Sequence, residues 1–441
     1  MRQPYGARIA STVVYAHPSW YAQQGYLVLV LDVRGRGDSG GEFSGFASEA
    51  TDGDDALAWL KAHPLCNGRV GSYGFSYQGL TQLLGTDTNL QPDALAPAMC
   101  GLDERLHWAS EGGAHWWVLS LSWGLQLAAE SCRRRGDQHA WQAIKDCLAS
   151  AQQSRHGLAL LKQHDSNNPV LEWLQNDPSQ AAEWACHQPN PERLRRPMQL
   201  LEGWCDPYLR GGLDLWQQAL KCGGSPELII GPWSHLSWDR RVGSCDMGPE
   251  ACGRVDQWQL AFFDQHLRGQ SRPEQPSCWA YDLLSHHWKR RDPRLSPDLQ
   301  WGLSSHGLAA SCSDEGELKA QQSGHGQLVW VHDPWRAVPG RGGHLGLDAG
   351  LCDRADLDGR ADVACFTTAA LQQPLELWGQ FELLLSIRSD QHSFDLCGAI
   401  SVLRAGQSQV LQLCTGVLRV ASETGQNRLE RTLSFQPLLA S

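Results

Sequence analysis

A chain of 441 residues is long enough for two domains, or three with an inserted lid, and its formal net charge of −11 with no long basic run excludes a nucleic-acid partner. No apolar stretch approaches the ~20 residues needed to cross a bilayer, and the start, Met1-Arg2-Gln3-Pro4-Tyr5-Gly6, carries no apolar signal-peptide region. The 15 cysteines are scattered without a Cys-x-x-Cys pair, which argues against zinc and reads as small buried side chains in a reducing cytoplasm.

The first third alternates strand and helix patterns. Tyr26 to Val33 is a nearly continuous apolar run, as expected of a parallel strand buried on both faces. It ends in Arg34-Gly35-Arg36-Gly37-Asp38-Ser39-Gly40-Gly41, which lacks the Gly-Lys-Ser/Thr ending of a phosphate loop. Its arginines are expected to pin neighbouring loops through carboxylates. Asp52-Gly53-Asp54-Asp55 opens a helix that carries Ala56, Leu57, Trp59 and Leu60, and its acidic first turn suits the helix dipole. After the Asn67-Gly68 turn, Val70-Gly71-Ser72-Tyr73-Gly74-Phe75-Ser76-Tyr77-Gln78-Gly79 reads as a buried strand running into a Gly-x-Ser-x-Gly type of turn around Ser76. Such a turn is the nucleophile elbow of an α/β-hydrolase: small flanking residues relieve a strained serine, and the next N–H faces a forming oxyanion. A further strand is expected over Ala94 to Met99.

Between Asp103 and Arg196 the composition turns helical, with Trp116, Trp117, Trp123, Trp141, Trp173 and Trp184 among Leu, Ala, Gln and Glu. The alternating pattern then returns. The apolar run Pro197 to Trp204 leads to Cys205-Asp206, and Glu227 to Gly231 leads to Pro232-Trp233-Ser234-His235. Each places a polar residue beyond the C-terminal end of a strand, where ligands bind in open parallel sheets. Beyond Arg272 short strand patterns lie between Gly, Pro, Asp and Ser clusters, as in Gln327 to Val331, Leu375 to Gly379 and Phe381 to Ile387. The expected fold class is α/β: a hydrolase core over residues 1–102 and 197–272, a helical cap over 103–196, and an all-β jelly roll over 273–441.

A serine hydroxyl is a weak nucleophile, so Ser76 needs a base, and the base needs an acid to set its tautomer. In this fold the chain order is Ser, then Asp or Glu, then His. Asp206 and His235 satisfy both order and strand placement; Asp214, Asp239 and Asp246 are nearby competitors, of which Asp239 and Asp246 follow His235 and break the expected order. Cys205 has no second base to make it a nucleophile. Trp204 and Trp233, each near a triad candidate, are expected to line the substrate pocket. Trp116, Trp117 and Trp123 are candidates for its acyl-side wall, with ordinary helix packing as the alternative. This chemistry needs no metal or organic cofactor.

Several motifs together resemble one family. Asp32-Val33-Arg34-Gly35-Arg36-Gly37-Asp38-Ser39-Gly40-Gly41-Glu42-Phe43, Gly74-Phe75-Ser76-Tyr77, Gly203-Trp204-Cys205-Asp206 and Gly231-Pro232-Trp233-Ser234-His235 look like the Xaa-Pro dipeptidyl-peptidase / cocaine-esterase-like (CocE/NonD) acyl hydrolases. Phe263 to Gly269, His332-Asp333-Pro334-Trp335 and Pro339-Gly340-Arg341-Gly342-Gly343 extend the likeness along nearly the whole chain. The resemblance implies the triad Ser76, Asp206 and His235. It also implies an oxyanion hole formed by the Tyr77 N–H and the Tyr5 hydroxyl, and a jelly roll that helps close the site.

Within that family Tyr5 follows the third strand of the sheet, yet here it stands four residues after Met1. The expectation is a fragment, with a gap or unpaired edge in the sheet and the jelly roll stopping near Leu433 to Leu438. The partner expected is a small ester, amide or short peptide, with a homodimer left open and no membrane. An acyl esterase is favoured over a dipeptidyl-peptidase, which would need a pocket carboxylate such as Glu104, Glu111 or Asp103 for a free α-amine. The reading from another class is an inactive fragment or binding protein.

Overall fold

The structure, a computed structural model, describes residues 1–8, 14–150, 152–273, 275, 277–292, 299–320, 324, 326–345, 348–404, 406–421 and 428–441. The chain opens with Arg2–Gln3 (β1), followed by the helix Pro18–Gln23 (α1) and Leu31–Asp32 (β2). β1 and β2 pair in parallel as a separate two-stranded sheet. The run from Tyr26 to Val33 is therefore not one long sheet strand. The backbone alongside it is that of Met1 to Gln3, so only Leu31–Asp32 forms a ladder and Leu27 is 44% exposed.

Glu49–Ala62 (α2) begins three residues before the expected start, because Glu49 is held by Arg2 and by the Tyr77 hydroxyl. Gly71–Phe75 (β3), Tyr77–Leu83 (α3) and Ala94–Ala98 (β4) follow. A π-helix over Glu104–Ala109 and the small pair Ser110–Glu111 (β5) and Ala114–His115 (β6) lead to helices Trp117–Arg135 (α4), Gln138–Leu148 (α5), Gln153–His164 (α6), Pro169–Gln175 (α7) and Pro191–Leu194 (α8). α4 packs against α5, α6 and α7. The fit is close: a Cβ on Gly124 would stand 3.1 Å from that of Val170. Gly136, in the left-handed region, stops α4 after three arginines that suit the negative helix end.

Gln199–Cys205 (β7), Leu209–Lys221 (α9) and Glu227–Ser234 (β8) restore the alternation. The short pair Arg241–Val242 (β9) and Cys245–Asp246 (β10) precedes Val255–Arg268 (α10). Beyond it, Cys278–Tyr281 (β11) adds in parallel to β8, and Trp288–Arg290 (β12) pairs antiparallel with β11. The resulting six-stranded sheet has the order β12-β11-β8-β7-β4-β3, so it runs past the expected boundary at residue 272. Neighbouring residues on a strand leave on opposite faces. Ala94, Ala96, Ala98, Leu201 and Ile229 pack with Phe262 and Phe263 of α10, while Leu95, Leu200, Leu228 and Ile230 join Leu80, Leu83, Leu215 and Trp216 from α3 and α9. Both faces are covered, which explains the uninterrupted apolar runs of these strands.

The remaining strands form small sheets. Trp301–Ser304 (β13), Glu317–Ala320 (β14) and Thr367–Thr368 (β16) make one, and Cys352–Asp353 (β15), Ser393–Leu403 (β19) and Val410–Ala421 (β20) another. Leu377–Gly379 (β17) pairs with Leu438–Ala440 (β22), and Glu382–Ile387 (β18) with Leu429–Ser434 (β21). The expected strand over Gln327 to Val331 is absent: those residues are unpaired, with Val329 and Val331 largely exposed. Their alternation suits a half-buried strand, but no strand ladder forms over them among the described residues.

Candidate active site

Ser76, Asp206 and His235 directly follow β3, β7 and β8, three strands of one sheet that end on the same side. Ser76 has φ 58° and ψ −129°, a strained backbone for any residue with a side chain. The strain is held by tertiary contacts, since its N–H donates to Ala98 O at 2.9 Å and its carbonyl accepts from Gly79 N–H at 2.8 Å. The glycine spacing differs from the pentapeptide expected, because Gln78 stands in the fifth position and glycine one residue later. At Gly79 a Cβ would lie 2.8 Å from that of Cys100, and at Gly74 one would lie 2.5 Å from that of Gln78. The second glycine is thus placed by the approach of α3 to the loop after β4.

Asp206 is fully buried. Its Oδ1 accepts from the Tyr208 N–H at 2.7 Å, and its Oδ2 lies 2.5 Å from His235 Nδ1. A carboxylate at Nδ1 selects the imidazole tautomer whose Nε2 is free to accept a proton. Phe75 and Tyr208 flank the imidazole, with ring centroids 5.3 and 4.8 Å away. Among the described residues no hydrogen bond closes from His235 to Ser76 Oγ, as is common before substrate tightens such a site.

Tyr5 is tied down despite its place near Met1. Buried Arg36 donates to the Pro4 carbonyl at 2.9 Å, and the Tyr5 N–H donates to Gln3 Oε1 at 3.1 Å. Arg34 pairs with Asp52 as expected, but Arg36 serves backbone carbonyls of Pro4 and Leu127 instead of a carboxylate. The Tyr5 hydroxyl bears on Ser76, and burial pushes its ionisation up to about 12, so it stays protonated at neutral pH. It accepts from Trp123 Nε1 at 3.1 Å, which occupies a lone pair and leaves its proton available to an anion. The Tyr77 N–H opens α3, while the Tyr77 side chain turns away to Gly45 O and Glu49.

The tryptophans divide. Trp204 is buried with its N–H on Tyr281 O at 2.6 Å and its ring against Trp378, and Trp233 is buried with its N–H on Ala251 O at 2.9 Å and its ring on Trp238. Both are buried side chains with satisfied N–H groups. Trp117 turns its N–H toward Ser154 on α6. Trp116 lies 6.2 Å from the ring of Tyr208, and its own buried N–H has no partner among the described residues. The rings that gather around Trp123 are Phe46, Trp108, Trp173 and Tyr77. The Trp108 ring also lies 4.5 Å from that of Tyr208, tilted by 40°. Phe46, Trp108 and Tyr208 were not singled out from the sequence. Only Tyr208 carried a local signal, standing two residues after Asp206 where its N–H caps the carboxylate.

Of the three carboxylates considered for an amine, Glu104 is the one among these rings. Its oxygens engage Trp173 Nε1 at 2.5 Å and His187 Nε2 at 2.6 Å. Glu111 is bound elsewhere, to Arg210 and His344, and Asp103 caps the π-helix through the Leu106 N–H. No group of residues able to hold a metal occurs among the described residues, and none of their helices is long and apolar enough to cross a membrane.

The chain is similar to the cocaine esterase of Rhodococcus sp. (strain MB1 Bresler), with 26% identity over 91% of this chain and 74% of that protein. In fold it is similar to an aminopeptidase from a marine sediment Thaumarchaeota archaeon, with TM-score 0.70 at 19% identity over 99% of this chain and 80% of that one. A CocE/NonD family hydrolase from Staphylococcus aureus gives TM-score 0.62 at 15% identity over 100% and 77%. The profile of the X-Pro dipeptidyl-peptidase C-terminal non-catalytic domain matches residues 286–432. With the profile of the X-Pro dipeptidyl-peptidase (S15 family) matching residues 1–237, more than half the chain, the chain belongs to that family of serine hydrolases.

Proposed function

We propose that this chain cleaves acyl esters through an acyl-enzyme, using Ser76 as nucleophile, His235 as general base and acid, and Asp206 to orient and stabilise the imidazole. His235 Nε2 takes the Ser76 proton as Oγ bonds to the substrate carbonyl carbon, and the carbonyl electron pair moves onto oxygen. The Tyr77 N–H and the Tyr5 O–H hold that oxyanion. Its collapse expels the alcohol, which takes the proton from His235, and water repeats the sequence to release the acid. The architecture that goes with this reading is an α/β-hydrolase core, a helical cap over residues 103–196, and a C-terminal domain of jelly-roll type.

The observation that carries the reading is the 2.5 Å contact of buried Asp206 with His235, on the strand ends that also present strained Ser76. A fluorophosphonate probe should label Ser76, and Ser76→Ala should lower p-nitrophenyl butyrate hydrolysis by at least about 10³-fold. A Ser76→Ala protein working at the parent rate would overturn it. A second reading, an X-Pro dipeptidyl-peptidase, is supported by the Glu104 carboxylate among aromatic rings, the chemistry that receives an ammonium group. Comparing kcat/KM on Ala-Pro-p-nitroanilide with that on p-nitrophenyl butyrate separates the two.

A further inference from the structure

The C-terminal β domain reaches the Asp206 loop through Gln436. Gln436, just beyond β21, is 1% exposed, and its Nε2 donates to the Asp206 carbonyl oxygen at 2.8 Å. The Leu209 N–H reaches the same oxygen only at 3.4 Å, so the amide of Gln436 is the shorter of its two donors. Gln436 is anchored in turn, since its backbone N–H donates to Thr415 O on β20 at 2.9 Å. Thr415 Oγ1 lies 3.4 Å from His344 Nδ1, and His344 Nε2 contacts Glu111 at 2.6 Å. Glu111 also pairs with Arg210, in the first turn of the helix that Asp206 precedes. The segment from Asp206 to Arg210 is thus held at one end by Gln436 directly, and at the other through Glu111, which His344 of the β domain contacts.

The other end of Asp206 is its carboxylate, shared between the Tyr208 N–H and His235. Fixing the carbonyl fixes the peptide plane from which that carboxylate projects, and misplacements of about 1 Å in such a support can cost about 10²-fold in rate. A packing role alone does not explain a glutamine here. Its Oε1 is buried without a partner among the described residues, a cost an apolar side chain of equal length would avoid.

We infer that Gln436 is a positioning residue, through which the C-terminal domain holds Asp206, and so His235, in register with Ser76. This rests on the role proposed above for the Asp206–His235 pair. The test uses the full chain with Gln436→Met, which keeps length and volume but removes the donor, Gln436→Glu, which places an acceptor against the carbonyl at neutral pH, and Asp206→Asn. Rates with p-nitrophenyl butyrate, and of fluorophosphonate labelling, are counted per folded molecule after gel filtration. Both Gln436 variants should lose about tenfold or more in kcat and in labelling rate with KM within about twofold, while Asp206→Asn loses about 10³-fold or more. If the Gln436 variants match the parent while Asp206→Asn is impaired, the positioning role is wrong and the triad stands. If Asp206→Asn also matches the parent, both readings fall. A rise in KM at unchanged kcat in the Gln436 variants would equally overturn the inference, since it would point to substrate binding.

Discussion

Two residues near the site carry tests of their own. Tyr5 offers a proton that its environment keeps in place, because burial pushes the phenol up to about 12 and Trp123 takes only a lone pair. Tyr5→Phe removes one donor from a developing oxyanion and the acceptor of the Trp123 N–H, while the ring keeps its packing. Steady-state kinetics should therefore show kcat/KM lower by about 10²–10³-fold, with only about 1 kcal/mol lost in chemical denaturation. Glu202 is the opposite case, a buried carboxyl without function in the proposed chemistry. Its oxygens have no close partner among the described residues, and burial, then the nearby Asp206 charge, push its ionisation well above the usual carboxylate range, offset only in part by the Met99 N–H. The folded state keeps a proton that the unfolded chain releases above about pH 4.3, so this group takes stability away as pH rises from there. Glu202→Gln should match the parent near pH 4–5 and be the more stable of the two at pH 8, read from urea denaturation at the two pH values.

At the scale of elements, the site depends on how closely helices approach the sheet. α9 begins immediately after the Asp206 loop, and Gly211 meets the backbone of the segment after β4. A Cβ there would stand 2.5 Å from Gly101 Cα and 2.8 Å from Cys100 O. Neither atom belongs to a flexible side chain, so the helix itself must shift. Gly211→Ala should cost about 1–3 kcal/mol in chemical denaturation despite the higher helix propensity of alanine. It should also lower kcat, because the displaced helix carries the Asp206 loop with it. Much at this scale was legible in the residues. The elbow at Ser76, the strand ends at Asp206 and His235 and the helical stretch after Asp103 follow from local patterns, since alternation and turn chemistry act over a few neighbours. The pattern of Tyr26 to Val33 reads as one sheet strand, but a strand's length depends on the backbone beside it, which its own residues do not specify. The same holds for Gln327 to Val331.

At the scale of the whole molecule, the β domain meets the parallel sheet through Gln436 on Asp206 and Trp378 on Trp204, and the β5–β6 pair through the Arg419 N–H on Gly112 O and the Glu111 cluster. Burial pushes the Glu111 carboxyl up, but His344 and Arg210 outweigh it and bring it down to about 2. The ionised, paired form thus contributes stability that is present above the unfolded value near 4.5 and is lost as pH falls toward 2. A shift of that size corresponds to about 3 kcal/mol. Glu111→Gln should lower stability at pH 7 and flatten the acid limb between about pH 4.5 and 2, read by difference from thermal melts of parent and variant.

The residues alone determined the candidate groups and their order along the chain: a serine at a strand-to-helix turn, then an acid and a histidine, each after a buried strand. Those features are local, so periodicity and turn composition suffice to place them. Tertiary structure decided which side chains surround them. Trp204 and Trp233 are neighbours of Asp206 and His235 in sequence yet pack into the core, whereas Tyr208, Trp108, Trp123 and Phe46 gather from separate segments, and Gln436 arrives from 230 positions away. Side chains on a strand leave on alternate faces, and long-range packing selects the partners on each. Adjacency along the chain therefore says little about adjacency in the site.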